Sequence, residues 1–448
     1  MPQKTEIKYR FKKREAETMK KAFINGIILD GTKDMEPQEN RVILVENGKI
    51  AAIVDKEEKE RYQRCEIIDL KGAYIMPGLV NLHVHLAGSG KPKKKPLDPV
   101  KAVKQITSSG LMRAVGQAMV ANFAKTQLMS GTTTIRTVGG IADFDAKLRD
   151  DINAKKRIGP RIIASGMAIS VPEGHMAGSL AYVAHNAEEA RHYVDVIAKD
   201  KPDLIKLMIT GGVMDAEVVG EPGILRMPPE CVKAACDRAH ELGLKVAAHV
   251  ESPKGVEVAL ENGVDSIEHG AKPNAHITEL FKETGAFQVA TLCPALPYGL
   301  FECEVSHATK EQKANGKVVF DGIIEMAKDN IAHGVPVGLG TDTACPFVTQ
   351  YDMWRELDFY GKYCGVSNAF ALYTGTLLNA TLAGVGDVTG SIEVGKCADM
   401  IVTKKNPLEK LSVLCRVEMV VKDGVVYNHP QVKKIPEVEA EMDKFNRV

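Results

Sequence analysis

The sequence predicts an α/β protein: a TIM (β/α)8 barrel with a small flanking β-sandwich domain built from both chain ends. Three observations carry that expectation. Eight apolar runs with strand character follow one another between Leu79 and Leu339. Amphipathic stretches lie between most of them, the alternation of a closed parallel barrel. Short strands with Asn-Gly and Asp-Gly turns precede the first run and follow the last.

Taken in order, residues 1–21 form a charged arm whose role the sequence leaves open. Residues 22–76 alternate β-formers with turns, as in Phe23–Leu29, Arg41–Val45, Ile50–Val54 and Ile67–Leu70, and form the first part of the accessory β domain. Residues 77–385 make the barrel. Its runs are Leu79–Leu86, Thr133–Val138, Arg161–Ile169, Leu204–Ile209, Lys245–Val250, Asp265–Glu268, Phe287–Leu292 and Val335–Leu339. Pro229–Leu242 is a helix by its periodicity, closed by Gly243 at the C-cap. Residues 386–430 return to short strands and supply the second part of the accessory domain. Residues 431–448 read as a charged, peripheral tail.

Bulk composition narrows the function. Hydrophobic residues make up 44% and charged residues 26%, ordinary for a globular protein. Lys+Arg and Asp+Glu are both 58, so no net charge draws the chain to nucleic acid or to an anionic membrane. Nine scattered cysteines, none in a Cys-x-x-Cys pair, fit a reducing compartment. No apolar run is long enough to span a bilayer, and the first residues carry no apolar secretory core. The expectation is a cytoplasmic homo-oligomer that acts on a small molecule and has no nucleic-acid or membrane partner.

The chemistry sits at the ends of the runs. His83 and His85 close the first run two residues apart, and a strand has a side-chain period of 2, so both imidazoles point the same way. One such pair is a modest signal. The fourth run carries Lys206, the fifth ends at His249, the sixth at His269, and Asp342 follows the eighth. All fall at the carboxyl ends of barrel strands, where barrels keep their active sites. Lys206 is flanked by Ile205 and Leu207, so burial should lower its pKa. A neutral lysine can add carbon dioxide, and the carbamate is an anion able to bridge two cations. Four imidazoles, a carbamate and a carboxylate suit two divalent metal ions, zinc first by ligand type.

The segments PGLVNLHVH, IKLMITGGV, AAHV, SIEHG and GLGTDTA, with the closing TGSIEVGKCADMIV, resemble the ligand motifs and end signature of the amidohydrolase superfamily. That resemblance covers nearly the whole chain beyond the arm. IKLMITGGVM and the pair Gly174-His175 look most like the prolidase-like dipeptidase and ochratoxinase branch. The resemblance implies that His83, His85, Lys206 and Asp342 surround one metal. It places Lys206, His249 and His269 around the other. It also implies that His175 helps to polarise a substrate carbonyl.

The expected activity is hydrolysis of a carbon–nitrogen amide bond. Water bridging two divalent ions is largely hydroxide near neutral pH and attacks the carbonyl. Asp342 is the expected proton acceptor and donor. A dipeptide of Xaa-Pro or Xaa-Arg type, or an N-acyl amino acid, is the expected substrate. Tyr298, Arg226 and Glu251 are candidate substrate contacts. Arg136 is another, although in a strand it is expected in a buried ion pair. The basic stretch Lys91–Pro96 follows the first run and is either a solvated face or a lid that attracts anions. Two alternatives stand beside this reading: a deaminase or cyclic-amide (imidazolonepropionase-like) hydrolase using the same ligands, and a non-catalytic scaffold. His249-Val250-Glu251 departs from the branch, which usually has a second histidine where Glu251 stands, and Asn81 stands where an acid is common. His185, His192, His240, His276, His307, His333 and His429 are expected to be structural.

Overall fold

The computed structural model describes residues 20–93, 98–216 and 218–447. Most of the N-terminal arm, and Lys94, Lys95 and Pro96 of the basic stretch, lie outside them. Lys91 pairs with Glu437 at 2.9 Å.

The barrel strands are Leu79–Val84, Thr132–Thr137, Arg161–Ile163, Leu204–Met208, Lys245–Val250, Ser266–His269, Phe287–Ala290 and Val337–Leu339. Each ladder between consecutive members of this series is parallel. Leu79–Val84 is buried along its whole length, as expected of a strand covered on both faces. Two features depart from eight uniform strands. The third run is not one strand: Arg161–Ile163 pairs with Thr132–Thr137, and Ala168–Ser170 pairs with Leu204–Met208. The break falls at Gly166, whose φ of +68° turns the chain. Ala181–Val183 then extends the sheet beside Ala168–Ser170.

The second departure is the seam between the eighth and first strands, which side chains close. The Asn379 side chain donates to the carbonyls of Val80 and Leu339 at 2.7 and 2.9 Å and accepts from Leu339 N–H at 3.0 Å. Asn81 accepts from Thr341 N–H at 3.1 Å and donates to its hydroxyl at 2.7 Å. Gly340 permits this approach, since a Cβ there would sit 2.3 Å from that of His83. Asn81 is thus a structural residue of the seam.

The accessory strands form two sheets. One orders Lys49–Asp55, Arg41–Glu46, Lys21–Ile24 and Glu66–Asp69; the other orders Val425–Asn428, Met419–Lys422, Met400–Thr403, Tyr74–Pro77 and Ile27–Ile28. The chain ends meet where Met400–Thr403 pairs antiparallel with Tyr74–Pro77. Phe23, Ile43, Ile75, Met400 and Val421 pack into one cluster contributed by both sheets. Asn47-Gly48 has φ of 53° and 78°, the left-handed pair that a two-residue hairpin turn needs.

The C-terminal tail is not peripheral. Helix Pro436–Met442 buries Val438 and Met442 completely in the largest apolar cluster among the described residues. Its acids meet Arg355, itself fully buried, with Glu439 at 3.2 Å and Asp443 at 2.7 Å. No helix among the described residues is long and apolar enough to cross a membrane.

Candidate metal centre

Strand placement brings the six expected ligands to one end of the barrel. The rings of His83 and His85 are 5.3 Å apart, those of His83 and His269 4.9 Å, and those of His249 and His269 4.7 Å. Asp342 follows the eighth strand and reaches back over the first, with Oδ1 at 3.2 Å from His85 Nε2 and 3.5 Å from His83 Nε2. The donor atoms of His83, His269 and Asp342 lie within 4.8 Å of one another, as do those of His249, Glu251 and His269. His269 and Asp342 hold left-handed backbone, with φ of 67° and 52°. Such conformations cost on the order of 1–3 kcal/mol and gather at functional sites.

The hydrogen bonds fix which imidazole nitrogen faces the centre. His85 Nδ1 lies 2.8 Å from the Gly139 carbonyl, which can only accept, so that nitrogen carries the proton. Its Nε2 faces a carboxylate oxygen of Asp342. His83 repeats the pattern: Nδ1 donates to Glu268 Oε2 at 2.7 Å, and Nε2 faces Asp342. Burial holds His83 neutral, with its pKa pushed down to about 4. Asp342 Oδ1 has no hydrogen-bond partner. Lone pairs facing a carboxylate without a proton between them repel, and a cation among them removes the repulsion.

Lys206 makes the same point from the fourth strand. It is 1% exposed, its Nζ has no hydrogen-bond partner, and burial pushes its pKa down to about 8. An unpaired buried ammonium is costly. Added carbon dioxide would turn it into an acceptor among groups that need a cation. The residues present therefore fit divalent metal ions.

Two residues of the site were not singled out from the sequence. Glu268 lies at the barrel axis, fully buried, between His83 and Arg136 Nη2 at 2.7 Å. Burial alone would raise its pKa, but the Arg136 charge and the His83 hydrogen bond outweigh it and hold the carboxyl well below the usual range. Arg136 also donates to the Leu82 carbonyl and to Ser266 at 2.7 and 3.1 Å, so it is a barrel residue and not a substrate contact. The readable signal was a carboxylate inside a fully buried strand, Ser266–His269, which requires a buried cation. The second residue is Asp215, which hydrogen-bonds His175 Nδ1 and so orients that ring.

His175 reaches the site on the loop after Ala168–Ser170 and stacks on His249, with ring centroids 4.2 Å apart and planes inclined by 7°. Glu251 lies beside both: a Cβ at Gly212 would be 3.4 Å from Glu251 Oε2 and 3.4 Å from His175 Cε1. Tyr298 is half-buried on helix Leu292–Leu300, and burial followed by the nearby Cys345, Asp342 and Glu251 raises its phenol. Burial would raise the Asp215 carboxyl, but the His175 hydrogen bond, with a smaller contribution from nearby Arg226, lowers it. Of the remaining histidines, His185, His240, His276, His333 and His429 pair with acids away from the site.

Comparison with known proteins agrees with this geometry. Residues 74–427 match the model of the amidohydrolase family. The ochratoxinase of Aspergillus niger is 26% identical over 439 residues, covering 91% of this chain and 86% of that protein. A structure provisionally assigned as a prolidase from Bifidobacterium longum superposes with a TM-score of 0.84 at 34% identity, covering 95% of this chain and 99% of the other. A Xaa-Pro dipeptidase with methionine bound in its active site superposes with a TM-score of 0.77 at 29% identity, covering 91% and 100%. The chain belongs to the amidohydrolase family, on its ochratoxinase and prolidase-like branch.

Proposed function

We propose that this hydrolase of carbon–nitrogen bonds cleaves the amide of a dipeptide of Xaa-Pro or Xaa-Arg type, or of an N-acyl amino acid. The observation that carries the reading is the pair of orphaned atoms, Lys206 Nζ and Asp342 Oδ1, among four imidazoles at the mouth of the barrel. His83, His85 and Asp342 would hold one divalent ion and His249 and His269 the other, with carbamylated Lys206 between them. Zinc suits this donor set first. Bound metal would supply a water of lowered pKa and a Lewis acid for the carbonyl.

The chain's own groups do the rest. Asp342 takes a proton from the attacking water and returns one to the leaving nitrogen. His175, held in an ion pair with Asp215 through Nδ1, presents its Nε2–H to the carbonyl oxygen. Tyr298 and Arg226 flank the substrate and suit its carboxylate. The expected setting is a cytoplasmic homo-oligomer. Nine free cysteines support a reducing compartment. The proposed domain limits are 77–385 for the barrel, with 22–76 and 386–430 forming one accessory sandwich.

A screen of Xaa-Pro, Xaa-Arg and N-acyl amino acid substrates with metal-loaded protein tests the reading. Release of the C-terminal amino acid supports it; ammonia release from ring substrates alone would move the assignment to a deaminase. His175→Asn should lower kcat/KM by about 10²–10³-fold, the effect of removing one donor to a developing oxyanion. Unchanged kcat/KM at full metal content would return His175 to a structural role.

A further inference from the structure

We propose that Glu251 is a further protein ligand to the cation that His249 and His269 would hold, giving that position a carboxylate donor. The inference rests on the metal-dependent reading above. Its first support is placement. Glu251 follows His249 by two residues at the end of the fifth barrel strand, and one of its carboxylate oxygens lies within 4.8 Å of a ring nitrogen of His249 and of one of His269. A group that close to both imidazoles of one ion lies at the edge of the same coordination sphere.

The second support is an unmet valence. Oε2 of Glu251 is buried and has no hydrogen-bond partner among the described residues, while the carboxyl accepts from the Val213 backbone. Among the described residues, Lys206 Nζ, Asp342 Oδ1 and Glu251 Oε2 are orphaned polar atoms at the barrel mouth. Two of them belong to the proposed ligand set. The third shares its surroundings and needs the same cation. A contrasting cluster shows what a satisfied set looks like. Asp399 and Asp423 lie beside Cys397, where Arg161 and Lys422 already meet both acids at 2.7–3.4 Å. Among the described residues, no side chain hydrogen-bonds Glu251 Oε2 in that way.

A substrate ammonium is the competing occupant. It would have to lie about 2.8 Å from Oε2. That is the space beside His249 and His269 where a metal would be held, and the two positive charges would repel. A metal accommodates Oε2 without that conflict. With Lys206, His249 and His269, the protein then offers this ion four donors. The added oxygen donor also widens the range of ions the position suits, toward manganese as well as zinc.

Full-length apoprotein in bicarbonate buffer is titrated with Zn²⁺, and separately with Co²⁺ for its visible spectrum. Wild type is compared with Glu251→Gln and Glu251→Ala, and circular dichroism of the apo chains verifies folding. The Gln variant preserves volume if the Ala variant fails to fold. The expected result is one ion bound as in wild type, a second weakened at least about tenfold, and a cobalt spectrum altered in intensity by the lost ligand. Two ions bound with wild-type affinity and an unchanged cobalt spectrum in both variants would overturn the assignment while leaving the binuclear reading intact. Failure of wild type to bind two ions would overturn both.

Discussion

Asp342→Asn lowers kcat by about 10²–10⁴-fold, the usual contribution of a positioned acid–base group, and leaves the fold unchanged. The substitution is nearly isosteric. It keeps the backbone hydrogen bond from Asp342 N–H to the His83 carbonyl at 2.8 Å. Asn also tolerates the left-handed φ of 52° better than most residues. What changes is Oδ1 chemistry. An amide cannot take a proton from water at neutral pH, and it contributes less negative charge opposite His83 and His85. Steady-state kinetics beside metal analysis checks the result. Wild-type turnover at full metal content contradicts the role.

Glu268→Ala is expected to cost about 3–5 kcal/mol of stability, the range for breaking a buried ion pair by removing one partner. Arg136 is only 4% exposed and would lose its charge partner inside the barrel. The same substitution frees His83 Nδ1, so the ring that must face Asp342 is no longer held in one tautomer. The two consequences separate in a double variant. Arg136→Met with Glu268→Leu removes both charges and should recover much of the stability, as paired replacements in other proteins do. It should not recover metal affinity, which is expected to stay about 10–100-fold weaker. Urea unfolding of the apo chains gives the first quantity and zinc titration the second. A Glu268→Ala chain within about 1 kcal/mol of wild type would show that the pair does not support the barrel.

Much of this was legible because barrel strands are apolar and chemistry breaks the pattern. Lys206 between Ile205 and Leu207, and histidines closing three strands, are misfits that only a shared purpose reconciles. The third strand was harder to read. Ala164, Ser165 and Gly166 are small and uncharged, so the run looks continuous until the positive φ of Gly166 divides it. Glu268 was hidden by its neighbour, because His269 explains the segment SIEHG well enough alone. Its partner Arg136 lies 132 residues earlier, and no local pattern joins the two. The tail misled for a related reason. Val438 and Met442 lie four residues apart on one helical face, but acids surround them, and their counterpart Arg355 is a buried cation that the sequence cannot distinguish from an exposed one. The seam residues Asn81 and Asn379 act only across the closed ring, so their role appears when the ring is built.

Metal content per chain, measured by elemental analysis on protein purified without chelator and with Lys206→Ala beside it, tests the central claim most directly. The account predicts about two divalent ions in wild type and a sharp fall in the variant, because the bridging ligand is gone. No bound ion in wild type after reconstitution with zinc and bicarbonate, or the same content in wild type and variant, would contradict it.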